Sequence, residues 1–199
     1  MKIEEPDLSG RYTYADYLTW RMDEMVELIE GKIYKMSPAP GSVHQKISGK
    51  MFLAIGNFLS KSKCQLFSAP FDVRLLSSKK SKSDKSITTV VQPDLCVICD
   101  PSKIDERGCL GAPDWIIEIL SPRNSSKDLR EKFDVYEKSG VKEYWVVYPN
   151  DQTVMVYMLN EKRKYEGILR PYVRADKISP ATLPELKIDL TKVFPEKDY

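Results

Sequence analysis

Two apolar runs near the middle of the chain enclose an amphipathic helical pattern, and they restrict the fold more than any other feature. Residues 115–120 read WIIEIL and residues 145–147 read WVV, and such nearly continuous apolar runs are typical of buried strands. Between them, residues 125–139 have the spacing of a helix that ends before Gly140. A strand, a helix and a strand within about 35 residues form a βαβ unit, so the two strands are predicted to be parallel.

A longer helix is predicted from Val43 to about Lys61, after the chain-breaking segment SPAPGS. Ser42 is its expected N-cap. Its apolar residues recur every three or four positions and define one buried stripe, which consists of Ile47, Met51, Ile55, Phe58 and Leu59. His44, the single histidine of the chain, falls on the same stripe, so we expect it to face inward.

The remaining elements are short and mostly extended. The patterns predict a helix within 11–22, a hairpin from 26–29 and 32–36, strands within 64–76 and 89–99, loops at 77–86 and 100–114, a hairpin from 153 onward and a closing segment at 183–194. Together these elements predict an α+β (α/β) fold with a mixed central sheet flanked by helices, and an N-terminal helix and hairpin. A length of 199 residues fits a single domain, 1–199, with its core at about 24–194.

The balance of charges restricts the partners of the protein. The chain has 31 basic and 29 acidic residues and a net charge of +2, so its overall field attracts nucleic acid only weakly. Any phosphate-binding surface must therefore be local, and the basic stretches 77–86 and 161–174 could supply one. No window approaches the roughly 18 apolar residues of a membrane span, so we expect no membrane partner and a cytoplasmic location.

Four cysteines are too few for a disulfide scaffold in a chain of this length, and we expect them to be reduced. They are Cys64, Cys96, Cys99 and Cys109. Cys96 and Cys99 form a CxxC pair on a predicted strand, where residues three apart point to opposite faces. A zinc site would need a second such pair, so packing is the simpler interpretation.

Two carboxylates interrupt the predicted strands. Glu118 lies within the apolar run 115–120, where a buried and unpaired carboxylate is costly. Asp94 follows Pro93 in the strand pattern of 89–99. If the two strands are neighbours, the two acids converge, and a divalent cation between them relieves their repulsion. Mg²⁺ suits such a pair because it takes oxygen ligands and keeps several waters.

Each acid also has a purely structural explanation. Asp94 could be a turn or edge residue, and Glu118 could pair with a structural arginine or lysine. Both acids together resemble the PD-(D/E)xK nuclease superfamily, in which an acid follows a proline on one strand and Glu-x-Lys lies on the next. Leu120 stands where that pattern has its lysine. Two possibilities follow from this departure: activity is lost, or the cation comes from elsewhere.

The helix that follows Glu118 offers a replacement lysine. At about 100° per residue, Lys132 lies roughly 60° from the middle of the face that packs on the sheet. Lys127 and Lys138 lie on the far side of the helix. Lys132 is therefore the lysine expected to reach Glu118, although a lysine at this position can also extend along the helix into solvent.

Several longer segments resemble the Uma-two family of restriction-endonuclease-like proteins, a branch of the same superfamily. The segments are ELIEGKIYKMSPAP with the following His44, VQPDLCVI, IIEILSP, DLREKFDVYEKSGVKEYWVVYP and LPELKIDLTKVF, and they extend from about Glu27 to Phe194. The resemblance implies a restriction-endonuclease-like core of αβββαβ type, a Mg²⁺-dependent phosphodiesterase site in which Mn²⁺ can substitute, and a homodimer. The family is similar in having its lysine on the helix, which fits Lys132.

The same resemblance implies a set of site residues. Asp94 and Glu118 would bind the metal. Lys132 would stabilise the developing negative charge or position the water, and His44 would assist at the phosphate. A core histidine that binds a backbone carbonyl is the structural alternative for His44. Glu27 and Gln92 would be supporting groups around the metal ligands, and Asp72 is a further acid that could face the same cleft.

We therefore expect a metal-dependent endonuclease that hydrolyses phosphodiester bonds, with DNA as the substrate that the resemblance favours. One alternative is an inactive module of nuclease fold that binds nucleic acid or a protein partner, which the missing motif lysine and the near-neutral charge favour. A Ser–His hydrolase is a weaker alternative, because the chain has one histidine and no GxSxG motif.

Overall fold

Short strands outnumber helices in the computed structural model, which describes residues 6–21, 24–36, 40–76, 82–121 and 126–196, with the backbone alone at 126–128. The helices are α1 (Tyr14–Tyr17), α2 (Ser42–Leu59), α3 (Ser126–Ser139) and α4 (Leu190–Val193). The strands are β1 (Val26–Ile29), β2 (Lys32–Lys35), β3 (Gln65–Ser68), β4 (Val73–Leu75), β5 (Thr89–Val91), β6 (Leu95–Ile98), β7 (Ile104–Asp105), β8 (Gly108–Leu110), β9 (Trp115–Ile119), β10 (Glu143–Tyr148), β11 (Thr153–Leu159), β12 (Tyr165–Gly167), β13 (Tyr172–Val173), β14 (Lys177–Ile178) and β15 (Ile188–Asp189).

These strands form two large sheets and one small one within the described residues. The six-stranded sheet has the order β2-β1-β5-β4-β8-β7. In the seven-stranded sheet the order is β12-β11-β10-β9-β6-β3, and β13 pairs with β11; β14 and β15 pair with each other. Parallel and antiparallel pairs both occur. The predicted mixed α+β architecture is confirmed, with its strands divided between two large sheets.

The predicted βαβ unit lies at the centre of the seven-stranded sheet. β9 and β10 are parallel, with Ile119 opposite Val147, and α3 connects them. The helix ends where Gly140, at φ +90°, adopts the left-handed conformation and donates a backbone hydrogen bond to Tyr136 O. The N-terminal hairpin of β1 and β2 is also as predicted.

The seven-stranded sheet is buried on both faces, and alternation along β9 decides where its side chains lie. Ile117 and Ile119 belong to the core that includes the buried stripe of α2. Ile116 belongs to the opposite core, together with Val135 and Tyr136 of α3. Since successive strand residues point to opposite faces, Glu118 points toward α3.

Two segments that were each predicted as one strand pass from one sheet into the other. β3 pairs with β6 in the seven-stranded sheet, and β4 pairs with β5 in the six-stranded sheet. We call these four strands the bent ribbon and its connecting residues, 69–72 and 92–94, the two corners. The first corner has one residue more than the second, and an extra residue on one side bends a two-stranded ribbon as a β-bulge does.

The loop predicted at 100–114 is wrong in part. It contains a short 3₁₀ turn, Pro101–Lys103, and the hairpin of β7 and β8, of which β8 continues the six-stranded sheet by pairing in parallel with β4. Strands of two and three residues are too short to produce a periodic pattern. Of the loop predicted at 77–86, residues 77–81 lie outside the described residues and Asp84–Ser86 form another 3₁₀ turn.

The helix boundaries differ from the prediction at three points. α1 is shorter than the predicted segment, and Met22 at the end of that segment lies outside the described residues. Gly41 is the N-cap of α2 in place of Ser42. Phe58 is 38% exposed, while His44 and the rest of the stripe are buried. No helix in the described ranges is long and apolar enough to cross a membrane.

The expectation of four reduced cysteines is wrong. A disulfide joins Cys64, which follows α2, to Cys99, which follows β6. Cys96 and Cys109 are free and buried. The CxxC prediction itself holds, because Cys96 and Cys99 belong to opposite cores. The partner of Cys99 is 35 residues away in sequence, and no local pattern reveals such a pair.

Gly108 and Gly111 provide a test of how closely β8 packs against the first corner. Both have positive φ, but a Cβ at Gly108 would overlap the backbone carbonyl of Asp72, whereas a Cβ at Gly111 meets nothing within 4 Å. Gly108→Ala is expected to lower the free energy of unfolding by about 3 kcal/mol or more, and Gly111→Ala by only about 1 kcal/mol. Urea denaturation of both variants measures the difference, and equal losses would contradict the close approach.

Candidate active site

Glu118 of β9 is buried on the side of the sheet that faces α3. Its Oε1 atom lies 3.0 Å from Lys132 Nζ and accepts a hydrogen bond of 2.7 Å from Tyr136 OH. Lys132 and Tyr136 are four residues apart, so they lie on the same side of α3. The helix thus presents one cation and one hydroxyl to a carboxylate that the strand directs toward it.

Asp94 lies at the second corner, next to Glu118. β6 and β9 are antiparallel, with Leu95 opposite Ile117, and one further step in this register places Asp94 opposite Glu118. Asp94 Oδ2 accepts a hydrogen bond of 2.7 Å from the backbone N–H of Ile119, immediately after Glu118. The corner therefore directs Asp94 toward the strand that carries Glu118.

His44 reaches Asp94 from α2. Its Nε2 atom lies 3.2 Å from Asp94 Oδ2, and the side chain is 10% exposed. Its Nδ1 atom is buried and has no hydrogen-bond partner among the described residues. The inward position predicted from the helical stripe is confirmed, and the histidine contacts the carboxylate of Asp94.

Glu27 of β1 brings the six-stranded sheet into the same cluster. Its Oε1 atom lies 3.0 Å from Lys132 Nζ and accepts a hydrogen bond of 2.8 Å from the backbone N–H of Gln92. Lys132 therefore lies between the carboxylates of Glu27 and Glu118. We call the set of Glu27, His44, Asp94, Glu118 and Lys132 the acid cluster.

The oxygens of the acid cluster suit a hard divalent cation better than a soft one. No set of three or more His, Cys, Asp or Glu side chains forms a closed metal cage in the described part of the chain, as a structural zinc site would require. No described residue donates a hydrogen bond to Asp94 Oδ1 or Glu118 Oε2. Mg²⁺ needs only one or two carboxylates because it retains several waters, so the donor set of Asp94 and Glu118 fits this ion.

Comparison with protein families identifies the group to which the chain is related. The model of the Uma2 family, described as "Putative restriction endonuclease", matches residues 14–191. The chain belongs to the Uma2 family.

Two individual proteins resemble this Uma2 member over most of their length. The crystal structure of "a putative nuclease belonging to DUF820" from Anabaena variabilis superposes with a TM-score of 0.70 at 25% identity, covering 92% of this chain and 97% of the other. "Uncharacterized protein slr1290" of Synechocystis sp. is 24% identical over 149 residues, which are 73% of each chain. The restriction-endonuclease-like fold expected from the sequence is therefore confirmed.

Burial and the excess of acidic side chains both shift the pKa values of the titratable groups in this Uma2 site. Burial raises the pKa of Glu118 to about 7, and the charges of Asp94 and Glu27 act in the same direction while Lys132 opposes them. Burial alone would lower the pKa of Lys132, but Glu118 and Glu27 outweigh it and raise that pKa. Burial likewise disfavours charged His44, yet its hydrogen bond to Asp94 and the charge of Asp94 raise its pKa.

The structure brings together the six site residues and Asp72, all named from the sequence, and it adds Tyr136. Asp94, Glu118, Lys132, His44 and Glu27 form the acid cluster, and Gln92 contacts it through its backbone. Asp72 accepts a hydrogen bond from the Gln92 side chain, and the added residue, Tyr136, binds Glu118. Tyr136 could have been inferred from its spacing of four residues from Lys132. Leu120, at the position of the motif lysine, packs in the core on the α3 side.

Removal of Lys132 is expected to lower the free energy of unfolding, because two buried acids would lose their cation. Lys132→Met would leave Glu27 and Glu118 without their shared cation, and breaking a buried pair in this way costs about 3–5 kcal/mol. Lys138→Met is the matched control on the same helix, because its ion pair with Glu30 is exposed and worth at most about 1 kcal/mol. Urea unfolding at pH 8 in EDTA compares the two variants, and similar losses would argue against a stabilising role of Lys132.

The raised pKa of Glu118 predicts a pH-dependent stability. In the unfolded chain this group loses its proton near its ordinary pKa of 4.5, while in the folded chain it keeps the proton up to about pH 7. Between these values the folded state binds more protons, so the wild type loses stability as pH rises. In EDTA, the free energy of unfolding of Glu118→Gln relative to wild type should increase by up to roughly 3 kcal/mol from pH 4.5 to pH 8. A flat difference would show that the folded-state pKa is ordinary.

Proposed function

We propose that this protein is a Mg²⁺-dependent nuclease that hydrolyses phosphodiester bonds in DNA. The observation that carries the proposal is the convergence of Asp94 and Glu118 from adjacent strands, with Lys132 in contact with Glu118. The Uma2 family is described as "Putative restriction endonuclease" and the Anabaena protein as "a putative nuclease", and both descriptions support the proposal.

Asp94 and Glu118 would hold the metal through oxygens that no described residue engages. A bound Mg²⁺ would supply an activated water and would neutralise charge on the scissile phosphate. Hydrolysis then joins the water oxygen to phosphorus and breaks one ester P–O bond. The residues of the chain hold the two acids in place and provide the positive charge beside them.

Lys132 is assigned the role of the lysine that Leu120 replaces in the strand. Its ammonium lies 3.0 Å from Glu118 Oε1, and the raised pKa keeps it charged at neutral pH. A preorganised cation at this point stabilises negative charge that develops on the phosphate, and such groups contribute on the order of 10²–10³ in rate. Glu27 holds the same ammonium from the other side.

His44 is assigned to Asp94 instead of to the phosphate. Its Nε2 atom is engaged by Asp94 Oδ2, and its Nδ1 atom is buried. With Nε2 donating, His44 and the Ile119 N–H both bind Oδ2, which orients the other oxygen of Asp94 for the metal. Outer contacts of this kind typically change metal affinity or activity by about 10–100-fold.

Metal titration and cleavage assays with matched variants test the proposed function. The wild type is expected to bind Mn²⁺ in calorimetry and to nick plasmid DNA in Mg²⁺ but not in EDTA. Asp94→Ala should abolish both properties, whereas Lys132→Ala should retain metal binding and lose cleavage by about 10²-fold or more. Glu106→Gln, an exposed acid in the β7–β8 turn, is the control and should behave as wild type.

The outcomes separate the nuclease from its competitor. A folded wild-type protein that binds no divalent metal and cleaves no nucleic acid would overturn the nuclease proposal. Retained DNA binding without cleavage would then identify the inactive binding module. Cleavage that survives EDTA would contradict metal dependence, and activity on RNA alone would correct the substrate.

A further inference from the structure

Asp72 and Gln92 join the two corners of the bent ribbon beside the acid cluster. The Gln92 side chain donates a hydrogen bond of 2.8 Å from Nε2 to Asp72 Oδ1, and Tyr17 OH lies 3.4 Å from the same oxygen. A second contact between the corners runs from the backbone N–H of Ala69 to the carbonyl of Asp94, at 3.2 Å. The relative position of the corners is thus fixed by one side-chain bond and one backbone bond.

Gln92 links Asp72 to the acid cluster. Its backbone N–H donates to Glu27 Oε1, the same oxygen that contacts Lys132. Pro93 joins Gln92 to Asp94, and its ring fixes the φ angle between them. A change in the backbone of Gln92 therefore also moves the backbone of Asp94. A rotation of Gln92 would therefore move the anchor of Glu27 and the backbone of Asp94 together.

The Asp72 carboxylate is not explained by an ion pair. No described lysine, arginine or histidine lies within 4 Å of it, and burial raises its pKa. Its own backbone is held in place by Cys109, whose N–H donates to Asp72 O. A charged acceptor makes a stronger hydrogen bond than a neutral one, and here the donor is the Gln92 amide.

We propose that Asp72 is a positioning residue that acts through Gln92 to hold Glu27 and Asp94 in the geometry that binds metal. The inference rests on the proposed function, because it concerns the same metal site. It assigns no contact with substrate to Asp72. The expected consequence of losing the pair is a loss of metal affinity of about tenfold or more, the usual effect of removing a group that orients a metal ligand.

A charge-conserving exchange of the two residues provides the test. Gln92→Glu places two carboxylates where the present hydrogen bond measures 2.8 Å, and the repulsion should displace the corner. The double variant Asp72→Asn/Gln92→Glu restores one donor and one acceptor in reversed order at the wild-type net charge. At pH 8, Mn²⁺ affinity by calorimetry and single-turnover cleavage of DNA should fall at least tenfold in Gln92→Glu and return to within about threefold of wild type in the double variant.

The direction of the effect distinguishes positioning from simple electrostatics. An added negative charge by itself would tighten Mn²⁺ binding, whereas displacement of Asp94 and Glu27 weakens it. Val73→Ala is the stability control, because Val73 is a fully buried core residue beside Asp72 whose truncation destabilises the fold without altering the hydrogen bond. It should leave the metal affinity of the folded protein unchanged.

Each outcome bears on a different claim. If the wild type binds Mn²⁺ and cleaves DNA, and Gln92→Glu does so equally well or binds Mn²⁺ more tightly, the positioning role is overturned and the nuclease proposal stands. If the double variant is as impaired as the single one, the hydrogen bond is not what positions the site, and the inference also fails. If the wild type neither binds metal nor cleaves, the proposed function fails and the inference falls with it.

Discussion

The buried ammonium of Lys132, shared by Glu27 and Glu118, is the interaction on which the rest of the site depends. Each carboxylate would be costly to bury without a cation, and Lys132 lies 3.0 Å from both. One positive charge cannot balance Glu27, Glu118 and the neighbouring Asp94 together, so the site retains an excess of negative charge. Burial raises the pKa of Glu118 and the charges of Asp94 and Glu27 add to this effect, and such an excess of acid attracts a divalent cation.

The bent ribbon explains how three acids from distant segments come together, two of them at one ammonium. Glu27 belongs to the six-stranded sheet and Glu118 to the seven-stranded sheet, so a single flat sheet could not direct both toward Lys132. The chain changes sheets at residues 92–94, and Asp94 lies at this bend. Strand interruptions next to functional residues often redirect a side chain in this way. Pro93 and Asp94, which interrupt the strand pattern of 89–99 in the sequence, lie where the ribbon bends.

Local periodicity was sufficient to predict the side chains that one element positions by itself. Alternation along 115–120 placed Glu118 on the same face as Ile116 and Leu120, and the angle around α3 selected Lys132 over Lys138. The stripe of α2 similarly placed His44 inward. Each of these inferences needs the geometry of one strand or one helix only, and the family resemblance supported the expectation that they meet.

Features that depend on pairing between distant segments could not be predicted in the same way. The runs 64–76 and 89–99 were each interpreted as one strand, because nothing in a single apolar run indicates that its two halves pair in different sheets. The contact of Glu27 with Lys132 and the disulfide of Cys64 with Cys99 likewise depend on the tertiary arrangement. Tyr136 has a local signal in its spacing of four residues from Lys132, but its aromatic ring fits a packing face equally well.

The disulfide has a topological consequence for the acid cluster. Residues 64–99 form a covalent ring that contains all four strands of the bent ribbon and both of its corners. The ring is closed where α2, which carries His44, meets the end of β6, which begins next to Asp94. Cross-linking restricts the unfolded chain, so the two ends of the ribbon, before β3 and after β6, stay joined while the bond is intact. Under reducing conditions the same corners are held together by hydrogen bonds and packing alone, and the acids at the bend then depend on non-covalent contacts for their convergence.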